Sequence, residues 1–318
     1  MKFSIVICTW NRAELLKQTL QQLKKLNVAP GDIWQLIVVD NNSQDNTQEV
    51  IEEYKPQLPL LSLFEEKAGK SYAANLALHY VEGDLLIWMD DDVIVDPNLA
   101  TAYLQAADNH PNASYFCGRI EPWYESPPAG WIARHIQRLR GVYAICDHGA
   151  EERLLKEREA VFGANMAFRT EVAKDFPLNP HLGRIEKQLI GGDDTELVSR
   201  VRNAGHQGVW APNAMVKHYI PASRLSREYV RRWYFDAGVK FARTTADEVA
   251  NNKTIGGAPR WLWSKLLREN VVLGALEMLK NERWLEAFKQ TCISRGAINE
   301  FARLANSDQM GGSVKVKS

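Results

Sequence analysis

Two acidic clusters, far apart along the chain, hold the side chains best suited to chemistry: Asp90-Asp91-Asp92 and Asp193-Asp194. The first follows the apolar run Leu85-Leu86-Ile87-Trp88-Met89, a pattern that reads as a buried strand delivering carboxylates to the rim of a sheet, where a hard cation collects oxygen ligands. A solvated acidic loop has the same composition, because charged residues mostly sit exposed, so the triplet alone leaves both readings open. The second cluster follows Gly191-Gly192 and opens a segment ending at Gly205, with helix start and stop signals at its two ends. Asp193 with Glu196 resembles a capping box, which would employ both side chains on backbone N–H groups and leave Asp194 as the free acid. Complementing the helix dipole would by itself account for Asp194; a chemical role requires a partner site, and the triplet supplies one. His218, in an apolar segment, is either packed or a ligand. Asp96, directly before Pro97, is assigned to helix capping.

The elements that must position these side chains alternate in type. Residues 3–9 read as a strand, Asn11-Arg12 as its turn, and Leu15, Leu16, Leu20, Leu23 and Leu26 as one apolar helical face. Residues 35–40 repeat the unit, ending in Asp40 with Asn41-Asn42-Ser43 as the turn and a helix near 47–54. A third strand over 58–64, a turn at Gly69 and a helix over 71–81 lead to the acidic strand. The alternation implies an α/β fold with a doubly wound, mostly parallel sheet. Such sheets bind ligands at the carboxyl ends of their strands, which here are Thr9, Asp40, Glu65 and Asp90 to Asp92.

A strand over 114–120 is followed by the proline-rich stretch 122–128, read as a rigid connector outside regular structure and as the start of a second lobe. Residues 160–169 form a strand in which Gly163 marks a close approach to the backbone, and residues 208–212 and 214–220 read as two short strands. From residue 226 onward the pattern is helical. The stripe Tyr229, Val230, Trp233, Tyr234, Ala237 and Phe241 is flanked by arginines and lysines, and residues 259–304 mix tryptophan with arginine, a composition that suits both core packing and a membrane surface. The tail 311–318 is polar.

Composition bounds the rest. The chain has 318 residues, 45% of them hydrophobic, enough for a sizeable core. Its 39 basic and 39 acidic residues cancel, so no overall field recruits nucleic acid, and no nucleic-acid partner is expected. Cys8, Cys117, Cys146 and Cys292 are scattered without the paired spacing of a zinc or dithiol motif and read as reduced and packed, which suits a cytoplasmic protein. Residues 3–8 read as a first strand rather than a signal peptide. Nowhere does an apolar run approach the roughly 20 residues that span a bilayer, so membrane contact is expected only as peripheral attachment at the inner face.

With these residues in view, the chain resembles glycosyltransferase family 2, an inverting group built on the A-type glycosyltransferase fold. The resemblance rests on an ordered set: residues 6–12, residues 38–43, Gly69 to Asn75, Asp90-Asp91-Asp92, Gly163 to Arg169, and Gly192-Asp193-Asp194 followed by Arg200 and Gly205. It implies a nucleotide-sugar-binding half over 1–110, an acceptor-binding half over 111–222 and a helical C-terminal extension over 223–318. Donor contacts are implied at Thr9, Asn11, Arg12, Asp40, Asn42, Gly69, Lys70, Asn75, Asp90 and Asp91, with Asp40 reading the base. Acceptor contacts are implied at Asn165 and Asp193. Asp90, Asp92 and His218 are implied ligands of Mg2+ or Mn2+, Asp92 the preferred direct one, and Asp194 falls at the catalytic base. Two positions depart from the family pattern: Ala74 stands where many members carry arginine, and Asp193 replaces a common glutamate.

The reaction implied is single-displacement transfer from a nucleotide diphosphate sugar, with a UDP sugar expected, to a glycan or lipid-linked acceptor in polysaccharide or glycoconjugate synthesis. A divalent ion would offset charge on the leaving diphosphate, and a carboxylate on the opposite side of the sugar would take the acceptor proton. Two other classes remain at this point. A nucleotidyltransferase should carry a glycine-rich phosphate loop after the first strand, and Thr9-Trp10-Asn11-Arg12 has no glycine. A noncatalytic nucleotide-sugar-binding protein would need no free acid at Asp194.

Overall fold

The structure is a computed structural model that describes residues 1–180, 191–249 and 252–311. Its chain contacts divide it into two units, Met1–Ala222 and Ser223–Ser318.

In the first unit, β1 (Lys2–Thr9), α1 (Ala13–Leu23), β2 (Ile33–Asp40), α2 (Thr47–Tyr54), β3 (Leu60–Phe64), α3 (Lys70–Leu78) and β4 (Leu85–Met89) follow in strict alternation. β1 pairs parallel with both β2 and β4, and β2 with β3. Helices cover both faces of such a sheet, so its strands are apolar throughout rather than alternating: Ile5, Val6 and Ile7 of β1 and all five residues of β4 are buried. α1 buries Leu16, Leu20 and Leu23, one helical stripe, against this layer.

The chain continues through β5 (Val93–Val95), α4 (Leu99–Asn109), β6 (Tyr115–Tyr124), α5 (Gly130–His135), β7 (Arg153–Leu154), β8 (Asn165–Arg169), α6 (Thr170–Asp175), α7 (Asp193–Asn203) and β9 (Gly208–Ile220). The sheet order is β3-β2-β1-β4-β8-β6-β9-β5, with β7 paired to β9. The parallel character belongs to the first half. β8 runs antiparallel to β4 and β6, while β6 and β9 are parallel to each other and β5 and β7 antiparallel to β9.

Several local expectations change. Residues 208–220 form one strand rather than two, because the register against β6 shifts between Gly118 and Arg119 and the extra residues around Pro212 are absorbed as a bulge. β6 continues through Pro122, beyond the Tyr115–Cys117 stretch that β8 pairs, where a missing N–H breaks no second ladder. The strand expected over 160–169 begins only at Asn165, so Gly163 lies just before it. Asp96 is not the cap of α4: Asn98 holds that place, and Asp96 Oδ1 accepts the Asn98 N–H at 2.8 Å in the turn before it.

The second unit holds α8 (Arg227–Val249), the two-residue strands β10 (Thr254–Ile255) and β11 (Ala258–Pro259), α9 (Arg260–Met278) and α10 (Trp284–Gly311). α8 and α10 pack backbone to backbone: a Cβ on Gly238 would meet Ile293 O at 2.0 Å, and one on Gly296 would meet Phe235 O at 1.9 Å. Ala242, Leu262, Ala297, Ile298 and Phe301 form its core. The polar tail beyond Gly311 lies outside the described residues. Among the described residues no helix is long and apolar enough to cross a membrane.

Candidate active site

Strand register assembles the acidic rim. Ile7 pairs with Met89, so two residues further on Thr9 meets Asp91, and Thr9 Oγ donates to Asp91 Oδ2 at 2.7 Å. Arg12, in the turn after β1, donates through Nη1 to Asp91 Oδ1 at 2.9 Å and to Asp92 Oδ2 at 2.8 Å. Thr19 of α1, fully buried, fixes the backbone beneath by donating to the carbonyl oxygens of Asp91 and Val93. Lys70, at the start of α3, pairs with Asp90. Burial works against charge at Asp90, yet the nearby Lys70 ammonium outweighs it and holds the carboxyl well below the usual carboxylate range.

The bulge brings His218 to this rim. Past Gly118 the second half of β9 pairs with β5, setting His218 opposite Val93, next to Asp92. His218 Nδ1 lies 3.3 Å from the Tyr143 carbonyl, which can only accept, so Nδ1 carries the proton and Nε2 presents a lone pair. That Nε2 is 3.4 Å from Asp92 Oδ1, an oxygen that is buried and has no hydrogen-bond partner. A positive charge between these two atoms, a metal ion or a proton on Nε2, would satisfy both. Asp90, Asp92 and His218 each offer a ligand atom within 4.8 Å of the others, and a neutral imidazole oriented by a backbone carbonyl is the usual form of a metal-bound histidine. The donor set fits Mg2+ or Mn2+.

The second acid lies beyond Lys70, in a small pocket lined by Cys8, Lys70, Gly163, Asp193 and Asp194 among others. Asp194 is in the first turn of α7, where Gly163 N–H donates to its Oδ2 at 2.9 Å and Thr195 N–H to its Oδ1 at 2.7 Å. These bonds fix the carboxylate and favour its charge, but burial and the neighbouring Asp193 prevail and push its pKa above the ordinary value. The raised pKa makes this carboxylate a stronger base than an exposed aspartate.

Residues 4–176 match the family described as Glycosyl transferase family 2. The chain belongs to this family. The succinoglycan biosynthesis protein ExoM of Rhizobium meliloti (strain 1021) is 25% identical over 253 residues, covering 78% of this chain and 76% of that protein. The structure of S. aureus TarS 1-349 in complex with UDP matches with a TM-score of 0.55 at 14% identity, over 100% of this chain and 94% of that one. The mannosyltransferase PcManGT from Pyrobaculum calidifontis, in complex with GDP-Man and Mn2+, matches with a TM-score of 0.53 at 16% identity, over 98% and 76%. At these identities the structural likeness shows the fold, which is the A-type glycosyltransferase fold.

In this glycosyltransferase the residues expected at the site divide into those at the cleft and those that build its walls. Thr9, Arg12, Lys70, Asp90, Asp91, Asp92 and His218 come together as described, and Asp194 shares the neighbouring pocket with Lys70. Asn11 and Asn42 both take left-handed backbone, at φ 51° and 65°, and Asn11 Oδ1 accepts the Gln44 N–H at 2.6 Å, locking the turns after β1 and β2. Asp40 is fully buried and accepts from Ser43 N–H at 2.9 Å and Gln48 Nε2 at 3.1 Å. Gly69, at φ 139°, donates its N–H to Asn41 Oδ1 at 2.8 Å.

Three expected residues are held by bonds within the fold. Asn165, expected as an acceptor contact, is fully buried, donating to the carbonyls of Arg119 and Ala214 at 3.0 and 2.8 Å and accepting from Tyr103 OH at 2.8 Å. It staples the bulge that delivers His218. Asn75 is not free for a donor, because its amide exchanges two hydrogen bonds of 2.8 Å with the Leu178 backbone. Asp193 forms no capping box: Gly192, at φ 119°, is the N-cap with no side-chain bond, and Glu196 pairs with Arg200 at 2.7 Å. Asp193 is buried instead, 3.5 Å from Ser71 Oγ. Two residues that matter went unnoticed. Asn41 ties the carbonyls of Glu65 and Lys67 to Gly69, and its only sequence signal is its place in the turn after Asp40. Thr19 gives none, since it looks like any polar residue on a helix.

Proposed function

We propose that this glycosyltransferase carries out inverting, metal-dependent transfer of a sugar from a UDP sugar to a glycan or lipid-linked acceptor. The observation that supports it most is that Lys70 links two acidic groups: it pairs with Asp90, which clusters with Asp92 and His218, and it lines the same pocket as the separately held Asp194.

Asp90, Asp92 and His218 would hold Mg2+ or Mn2+, which when bound supplies positive charge to a departing diphosphate. Arg12 keeps Asp91 and Asp92 in place, and Thr9 fixes the rotamer of Asp91. The Lys70 ammonium adds a second positive charge at the same end of the cleft. Asp40, Asn11, Asn42 and Gly69 shape the wall on which the nucleotide rests, and Ala74, small and buried on that wall, leaves donor anchoring to Lys70 rather than to the arginine many relatives carry. Asp194, ionised, receives the acceptor hydroxyl proton as that oxygen attacks the anomeric carbon from the face opposite the diphosphate. Gly163 and Thr195 N–H groups keep it aimed while it does so. In this reading residues 1–110 serve the donor and 111–222 the acceptor.

A lipid-linked acceptor calls for a membrane surface. α9 and its end present Trp261, Leu267, Val271, Met278 and Leu279 exposed, with Arg260, Arg268 and Lys280 nearby in the chain, the composition of a peripheral anchor on anionic lipid. The donor assignment is tested by thermal stabilisation across a set of nucleotide sugars with and without Mn2+. UDP sugars are expected to stabilise the protein only with the metal; a GDP sugar alone doing so would replace the UDP assignment.

A further inference from the structure

Away from the cleft, donor atoms from three stretches of chain meet in the first unit. Cys117 lies in β6, Cys146 bridges to Ile120 of the same strand, and His148 follows two residues later. Cys117 Sγ and Cys146 Sγ are 3.5 Å apart, and Cys146 Sγ is 3.4 Å from His148 Nε2. The Ala160 carbonyl oxygen faces the same point, 2.8 Å from His148 Nε2, 3.6 Å from Cys146 Sγ and 3.8 Å from Cys117 Sγ. Both thiols are buried.

A tetrahedral ion with bonds of about 2.3 Å to sulfur and 2.0–2.1 Å to nitrogen sets neighbouring donors roughly 3.5–3.8 Å apart, close to the distances of Cys146 Sγ from Cys117 Sγ, His148 Nε2 and the Ala160 oxygen, with all three side-chain donors within 4.8 Å of one another. Two thiols packed for their volume alone would not also gather an imidazole and a carbonyl. We propose that Cys117, Cys146 and His148 form a tetrahedral site for zinc or another thiophilic divalent cation, with the Ala160 carbonyl or a water in the fourth position. The two soft donors separate it from the oxygen-rich rim of Asp90 and Asp92. On binding, each thiol gives its proton to solvent and two thiolates neutralise the dication, while His148, which donates Nε2–H to the Ala160 carbonyl, loses that proton to solvent and takes one at Nδ1, so that the Nε2 lone pair binds the ion. No paired cysteine spacing announces the site, because the fold rather than the local sequence brings residues 117, 146 and 148 together. Ala160 stands three residues before Gly163, whose N–H holds Asp194, so the ion would pin the loop that aims the proposed base.

The test is cobalt(II) titration of chelator-treated, reduced protein. One equivalent is expected to produce a thiolate-to-cobalt charge-transfer band with the intense d–d absorption of a tetrahedral centre, retained in Asp92→Asn and lost in Cys146→Ser. Should Cys146→Ser fail to fold, the wild-type chain still decides: an organomercurial that blocks its thiols should release one zinc per chain from protein purified in zinc. Absence of the charge-transfer band together with no zinc released, or a Cys117–Cys146 disulfide forming in the presence of zinc, overturns the proposal.

Discussion

Asp194 is clamped by two backbone N–H groups and yet held above the ordinary carboxylate range by burial and by Asp193. The sign of the resulting pH dependence follows directly. A base must be ionised to act, so kcat/KM should rise with pH through an acid limb displaced upward from that of an exposed aspartate, and Asp193→Asn, which removes the neighbouring charge, should move that limb down. A pH profile of both proteins checks this; an unshifted limb would assign it to another group. At the rim, Asp92 Oδ1 has no hydrogen-bond partner while Oδ2 pairs with Arg12, so Asp92→Asn should lower Tm without metal through the weakened Arg12 pair and remove most of the stabilisation Mn2+ gives the wild type, read as Tm with and without the ion. The triplet and Asp194 were legible because acids after an apolar strand and after paired glycines are local patterns. The fate of Asp193 was not, since a glycine in left-handed backbone took the capping position, and nothing in the letters separates a capping aspartate from one buried a residue later.

At the scale of elements, the placement of His218 beside Asp92 depends on the bulge in β9, and the bulge on Asn165. Asn165→Ala would remove the buried side-chain bonds to the Arg119 and Ala214 carbonyls and to the Tyr103 hydroxyl, at a cost of about 3 kcal/mol. The expected result is a lowered Tm together with weakened Mn2+-dependent donor binding, because His218 loses its register; donor binding left intact at the lowered Tm would separate the two. Gly118 belongs to the same joint, as a Cβ there would come within 2.2 Å of Asn165 Nδ2 and 2.3 Å of Ala214 O. The first four strands and their helices were readable from periodicity, since each is fixed by its own apolar pattern. The second half was not, because β8, β6 and β9 are neighbours through pairings distant in sequence, and their directions and the bulge are set by partners rather than by local composition.

For the whole molecule, the two units carry different consequences. In Met1–Ala222, saturating Mn2+ and donor at about 100 times their dissociation constants should add about 2.7 kcal/mol, a rise of roughly 5–10 °C in Tm for a unit of this size. In Ser223–Ser318, the exposed Leu267, Val271 and Met278 should carry the protein to anionic liposomes in a flotation assay, and replacing them with aspartate should abolish it; equal flotation of both would remove the anchor from α9. The sequence left this surface open between core and membrane, since tryptophan and leucine on a helix look alike in either role until burial is known. The central claim is that one side of the cleft holds the donor while Asp194 moves the proton, and it is met most directly by Asp194→Asn, measured for Mn2+-dependent UDP release from the donor beside donor affinity. The account predicts turnover lower by about 10²–10⁴-fold with affinity nearly unchanged; wild-type turnover in this variant would contradict it.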